Sequence, residues 1–150
     1  ALREVLHLVK SDTIIVLNGD AFAKADLGKF LHFHRTRKAS ISILLTLVKD
    51  VSRYGVVKTD VDGKVLTFEE KLQKGKDTSG YVNAGVYLFE KTVITSIPIG
   101  RPVSLEREVF PKQCGNGLYG LNGTFPFIDI GTPESYSASS KFFGLDSDDN

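Results

Sequence analysis

Thr13-Ile14-Ile15-Val16-Leu17-Asn18-Gly19-Asp20 is the stretch that decides the fold class. Its first five residues form an apolar, mostly β-branched run that ends abruptly at Asn-Gly-Asp. Such a run marks a strand buried on both faces, as in a parallel sheet covered by helices. Upstream, Leu2, Val5, Leu6 and Val9 recur at helical spacing, and Ser11-Asp12 makes a turn. Downstream, Asp26 can cap a helix whose apolar stripe is Leu27, Phe30, Leu31 and His34. Residues 40–48 form a second buried strand. Helix, strand, helix, strand is the rhythm of a layered α/β fold.

The rest of the chain departs from that rhythm. Residues 54–59 and 64–69 flank Asp60-Val61-Asp62-Gly63, whose Asp-Gly pair predicts a β-hairpin. A polar loop occupies 73–79, and a third strand is expected at 83–89. Ser104 can cap a short helix with Glu106 and Glu108 in its first turn, where acids suit the helix dipole. A short strand is expected around Leu118-Tyr119 and another at 127–130. Thr132-Pro133-Glu134 then predicts a helix that runs to Phe143 and stops at Gly144. No repeat or linker divides the chain.

The composition narrows the function. The 150 residues are 41% hydrophobic and 25% charged, ordinary for a globular domain able to bury a core without disulfides or structural metal. The net charge is +1, and no stripe of Lys and Arg alternates with aromatics, so no nucleic-acid partner is expected. The longest apolar runs have strand length, so no membrane partner is expected either. Cys114 is the only cysteine, which excludes an internal disulfide and fits a quiet structural thiol in a reducing, cytoplasmic setting. The chain has no Met, and its first helix has no capping residue ahead of it, so the expectation is a chain cut in mid-element.

Two carboxylates stand out by position. Asp20 lies just past the end of one predicted strand and Asp129 at the end of another, and ligands of open α/β sheets bind outside the carboxyl ends of strands. Two such acids suit Mg²⁺, which takes few carboxylates plus substrate phosphates. Taken singly, each is more simply read as a cap of the turn or helix that follows. Glu70-Lys71 could neutralise a phosphate while accepting sugar hydroxyls, or could be an exposed ion pair worth little. Gly55 and Asn83-Ala84-Gly85 let backbone approach a ligand, or mark a bulge or tight packing. The histidines lie at no zinc-ligand spacing.

The order of the blocks carries more than any one of them. Leu17-Asn18-Gly19-Asp20, Ser52-Arg53-Tyr54-Gly55-Val56-Val57, Phe68-Glu69-Glu70-Lys71, Val82-Asn83-Ala84-Gly85-Val86-Tyr87-Leu88-Phe89 and Phe127-Ile128-Asp129-Ile130-Gly131-Thr132-Pro133-Glu134, in that order, resemble the sugar-1-phosphate nucleotidyltransferase family. Residues 97–111 look most like its branch acting on mannose- or heptose-type 1-phosphates. The resemblance implies an α/β, layered Rossmann-like nucleotidyltransferase fold: a mostly parallel sheet with an inserted β-hairpin, missing its N-terminal strand and Gly-rich loop. Residues 1–144 would be the C-terminal portion of one such domain and 145–150 an acidic tail.

It also implies a reaction in which the phosphate of a sugar 1-phosphate attacks the α-phosphorus of an NTP and expels pyrophosphate, with GTP favoured. Asp20 and Asp129 would hold Mg²⁺ and Lys71 would contact the sugar phosphate. Glu70, Asn83 and the backbone at Gly55 would hold sugar hydroxyls. Leu72 departs from the family, which often has proline there. Without the absent strand the sheet is expected to expose apolar faces, and the chain is expected to be inactive alone. The alternative is a non-catalytic sugar-phosphate-binding or regulatory module of the same fold. A homo-oligomer is compatible with the sequence, which does not decide it. A dinucleotide-binding dehydrogenase is excluded, because G-x-G-x-x-G does not occur.

Overall fold

A computed structural model describes residues 2–69 and 79–145. The first periodic segment forms helix α1 (Leu2–Val5), which tightens into a 3-10 turn over Leu6–Leu8. Strand β1 (Thr13–Leu17) follows as expected, and then β2 (Ala21–Ala23), three residues too short to show a period. Asp26 caps α2 (Leu27–Thr36), its Oδ1 accepting from Lys29 N–H at 2.9 Å. Strand β3 (Ile41–Val48) is buried over its first six residues. The hairpin is β4 (Val56–Thr59) and β5 (Val65–Glu69). Strand β6 (Gly80–Glu90) runs eleven residues, longer than its apolar pattern foretells.

The second half is built of short pieces. Helix α3 (Lys91–Ser96) follows β6 directly. Ser104 Oγ accepts from Arg107 N–H, opening a π-helical turn at Leu105–Val109 that runs into α4 (Phe110–Gln113). Strands β7 (Leu118–Gly123) and β8 (Phe127–Asp129) come next. Thr132 and Ser135 form a reciprocal capping box at α5 (Pro133–Ser137). The single helix expected here breaks at Ala138 and resumes as α6 (Ser139–Phe143) before Gly144 takes a left-handed conformation.

One strand organises the sheet. β6 pairs antiparallel with β3 along one edge, and on the other with β1 (Val86–Glu90 against Thr13–Leu17) and, at Val82, with β4. β3 pairs in parallel with β7. β1, β3, β4 and β7 therefore point one way, with β5 and β6 reversed. The α/β class holds and four of six strands share a direction, yet most ladders are antiparallel because the reversed strand sits in the middle. A second ladder joins β2 and β8.

The hairpin turn is longer than its Asp-Gly pair alone requires. Asp60 Oδ1 accepts from the N–H groups of Asp62 and Lys64 at 3.0 and 2.8 Å, and a register shift follows at Lys58/Thr59. Gly63 closes the turn at φ +84, where a Cβ would lie 2.9 Å from Gly120 O. That contact is structural: Gly120 N–H donates to Gly63 O at 2.7 Å, and Lys64 bridges Tyr119. The hairpin thus curls back onto β7 and covers one face of the sheet. Val57 and Val65 of the hairpin pack there against Ile43, Leu45, Tyr87, Phe89 and Phe110, with Phe68, Tyr87 and Phe89 each 5.3 to 6.2 Å from the Phe110 ring. Cys114 donates its thiol to Phe110 O at 3.4 Å, and burial pushes that thiol up, as suits a packing residue.

β1 is not buried on both faces. Ile15 is 45% and Leu17 59% exposed, and with Leu27 at 46% they leave an apolar surface open, because no described element covers the outer side of β1. Among the described residues no helix is long and apolar enough to cross a membrane.

A polar knot ties α2 to the sheet. His34, 1% exposed, sets Nδ1 2.8 Å from Ser42 Oγ and Nε2 3.0 Å from Glu90 Oε1, which also accepts from Thr13 Oγ1 at 2.8 Å. A carboxylate only accepts, so Nε2 carries a proton. Desolvation pushes the Glu90 carboxyl up, but the His34 and Thr13 hydrogen bonds and the charges of His34 and Arg35 outweigh it, and the carboxyl titrates below its ordinary value. A depressed acid stabilises the fold above its unfolded pKa, and that contribution disappears as pH falls through the folded one. Glu90→Ala should therefore cost about 1 kcal/mol at neutral pH. Thermal unfolding along a pH series should show the gap to wild type closing below about pH 4.

Candidate active site

The β2–β8 ladder brings the two aspartates together. Asp129 pairs with Ala21, the residue after Asp20, and Ile130 N–H donates to Asp20 O at 2.8 Å. Both carboxylates border Gly131, where a Cβ would meet Asp129 Oδ1 at 3.0 Å and Asp20 Oδ2 at 3.5 Å. Asp129 does form the turn that a capping residue would, since its Oδ1 accepts from Gly131 N–H at 2.9 Å. One carboxylate oxygen thereby serves the backbone. Asp20 and Asp129 also line an open cleft of about 400 Å³ with Ser52, Arg53, Tyr54, Gly131 and Thr132.

The loop before β4 lines the same cleft. Asp50 Oδ1 accepts from Ser52 N–H at 2.8 Å, and Tyr54 N–H donates to Val51 O at 2.9 Å, so two tight turns set its shape. The Tyr54 ring packs edge-on to Phe127 of β8 at 5.9 Å. Burial pushes the Tyr54 phenol up; nearby Arg53 opposes this, while the charges of Asp129 and Asp50 add to it.

A second polar group flanks the first. Asn18 N–H donates to Gly85 O at 2.8 Å, joining the Asn-Gly-Asp loop to β6. Asn83 is two residues away, and its amide is largely committed within the protein. Nδ2 donates to Tyr87 Oη and to Glu106 Oε1, each at 2.8 Å, and Oδ1 accepts from Gly85 N–H at 3.0 Å. Only acceptor capacity on Oδ1 remains for a ligand. The Tyr87 hydroxyl is pushed up to about 12, first by desolvation and further by the charges of Glu106 and Asp20, against hydrogen bonds from Asn83 and Asn18.

The other expected residues divide. Gly55 gives room to its own hairpin, since a Cβ there would lie 3.1 Å from Glu69 O. That is the tight-packing role open to it from the sequence. Glu70 and Lys71 lie outside the described residues. Arg53, Tyr87, Glu106 and Thr132 join the site without having been assigned a role, although Arg53, Tyr87 and Thr132 stand inside the ordered blocks. A narrower pocket of about 90 Å³ lies between α3 and the π-helical turn, but its Arg101 and Glu108 are already closed on each other at 2.7 Å.

The donor set suits magnesium. Asp20 and Asp129 supply two carboxylates, and no group of three or more His, Cys, Asp or Glu gathers among the described residues. Two acids at an open cleft leave coordination positions for phosphate oxygens, which is how Mg²⁺ is usually held.

Comparison with known proteins places this geometry. The family model described as "Nucleotidyl transferase" matches residues 1–144. The chain belongs to that family. It is 40% identical over 142 residues to a mannose-1-phosphate guanylyltransferase of Mycobacterium tuberculosis, covering 93% of this chain and 39% of the relative. It is 41% identical over 129 residues to a UTP–glucose-1-phosphate uridylyltransferase of Synechocystis, covering 83% and 33%. Among solved structures it is similar to HddC of Yersinia pseudotuberculosis complexed with GMP-PN, with TM-score 0.80, 29% identity, and 95% and 60% of the two chains covered. The chain thus spans less than two thirds of each of these relatives.

Gly85 sits where the two polar groups meet. Its φ is +71, and a Cβ would come within 3.0 Å of Ala21 Cβ and 3.1 Å of Asn18 Cβ. Gly115 has the same φ with nothing within 4 Å, so Gly115→Ala isolates the backbone strain. Gly115→Ala should cost about 1 kcal/mol and Gly85→Ala about 1–3 kcal/mol more by denaturant unfolding. Equal losses would mean that the Asn18 loop yields freely.

Proposed function

We propose that the protein carrying this chain transfers a nucleotidyl group from an NTP to a sugar 1-phosphate, releasing pyrophosphate and forming an NDP-sugar. The observation that carries this reading is the convergence of Asp20 and Asp129 on Gly131 in a chain of the nucleotidyl transferase family. The two acids would hold Mg²⁺ from one side of the cleft. The ion's contribution when bound would be to neutralise phosphate charge and orient phosphate oxygens.

Every other element of the reading concerns the chain's own groups. Lys71 would contact the sugar phosphate, and Glu70 and the backbone at Gly55 would hold sugar hydroxyls. Asn83 would take part as an acceptor, since its amide N–H groups are used by Tyr87 and Glu106. An oxygen of the sugar phosphate forms the new bond to the α-phosphorus, and the bond from that phosphorus to pyrophosphate breaks. The protein's part is positioning and charge complementarity.

GTP with a mannose- or heptose-type 1-phosphate is the pair we favour. A guanylyltransferase name on one relative, GMP-PN in the solved neighbour and the likeness of residues 97–111 to that branch support it. The Synechocystis relative, equally similar, bears a uridylyl name, so UTP with glucose 1-phosphate is the pair to test beside it. We further propose a cytoplasmic setting and no turnover by these 150 residues alone.

The test is pyrophosphate release by the product of the complete reading frame, against a panel of NTPs and sugar 1-phosphates with Mg²⁺. Turnover with at least one pair is expected, and none from a protein shown to be folded would refute the reading. Asp129→Asn should lower kcat by about 100-fold or more while sugar-phosphate affinity changes little. Unchanged turnover in that variant would remove Asp129 from the metal.

A further inference from the structure

Among the described residues the cleft holds one cation, Arg53, that the acid pair does not explain. Arg53 lines the same cleft as Asp20 and Asp129, and among the described residues no carboxylate closes an ion pair with it, although its charge helps hold the Asp50 and Glu134 carboxyls below their ordinary values. Among the described residues its one hydrogen bond is long, from Nη2 to Thr132 Oγ1 at 3.4 Å, and its guanidinium lies 5.9 Å from the centre of the Tyr54 ring. Most of its five N–H donors are therefore uncommitted. Arg53 is exposed, but the loop that presents it is fixed by the two turns at Asp50 and Val51 and by the Tyr54–Phe127 contact.

We infer that Arg53 is a phosphate-binding residue of this site, gripping the phosphate group that would share a divalent cation with Asp20 and Asp129. The inference rests on the nucleotidyl-transfer reading for its ligand class and extends it to a residue given no role there. Its physical basis is charge. Two carboxylates facing an open cleft repel a bare phosphate, and a divalent ion between them neutralises only the side it touches. The opposite face of the phosphate needs donors, and a planar guanidinium offers a fork matched to two phosphate oxygens. The weak Thr132 bond and the Tyr54 ring keep Arg53 at the rim while costing little to release. The phosphate could come from the sugar 1-phosphate or from the pyrophosphate end of the nucleotide, since either is a phosphate anion that would bind with Mg²⁺.

The experiment is calorimetric titration of the product of the complete reading frame, with Mg²⁺, using mannose 1-phosphate in one arm and inorganic pyrophosphate in the other. Arg53→Gln and Arg53→Lys are each compared with wild type, and every protein is checked by thermal unfolding. Arg53→Gln should weaken one ligand by about ten- to hundredfold with an unchanged unfolding midpoint, and Arg53→Lys should recover part of the loss. Loss in the first arm assigns the sugar phosphate, and loss in the second the pyrophosphate. Equal affinity of all three proteins for both ligands overturns the inference. So does a loss that merely tracks a fall in the unfolding midpoint, or a wild type that binds neither ligand. Binding that depends on Arg53 in a protein with no turnover would leave this assignment standing and defeat the transfer reading. Turnover in a protein indifferent to Arg53 would do the reverse.

Discussion

Strand β6 is the constraint on which the rest depends. It is hydrogen-bonded along both edges, to β3 on one side and to β1 and β4 on the other, and its residues 84–89 are all buried. A strand paired on both edges and covered on both faces has little freedom to slip, because a one-residue shift would turn every apolar side chain the wrong way. The fixed register places Glu90 under His34 and Asn83 and Gly85 against the Asn18 loop. Position along one strand thus determines both the anchoring of α2 and the floor of the site.

The acids are held by a smaller device. Three paired residues of β2 and β8 put the ends of two distant segments side by side, and the hydrogen bond from Ile130 N–H to Asp20 O closes them. Side-chain length adds to this: Asp129 reaches its own turn at Gly131 and still faces the cleft. A capping role and a role toward a ligand are compatible here, because a carboxylate has two oxygens and the turn uses one. The choice between them that a single aspartate poses in sequence is not one the folded chain has to make.

Much of the architecture was legible in the pattern of residues. The capped helix at Asp26, the hairpin around Gly63, the strands 13–17 and 41–48 and the Thr132 cap all follow from local chemistry that tertiary packing did not override. What was hidden had specific causes. β2 is three residues long and carries no period. β1 has the composition of a doubly covered strand, yet Ile15 and Leu17 face outward, since composition records preference and cannot say which neighbours are present. The break at Ala138 lies between two serines whose hydroxyls donate to nearby backbone carbonyls, Ser137 to Pro133 O and Ser139 to Tyr136 O. In the site, Asp20 and Asp129 were readable as strand-end acids, whereas Glu106 lies on a separate turn and reaches Asn83 only through the fold. Arg53 was visible within a family block, but its place in the cleft with the acids depends on the curl of the loop before β4.

Tyr87 belongs to two worlds at once. Its ring is packed against Phe89 and Phe110 in the core, and its hydroxyl meets Asn83 in the polar group beside Asp20. Drift at this position is therefore narrowly channelled. Nearly every replacement opens a cavity or overfills the core, and the one that keeps the ring, phenylalanine, deletes a single oxygen. A lineage that gave up whatever the polar cluster does could cross that step with its fold intact and leave little other trace. The identity of one aromatic residue would then record whether the cleft is still under selection.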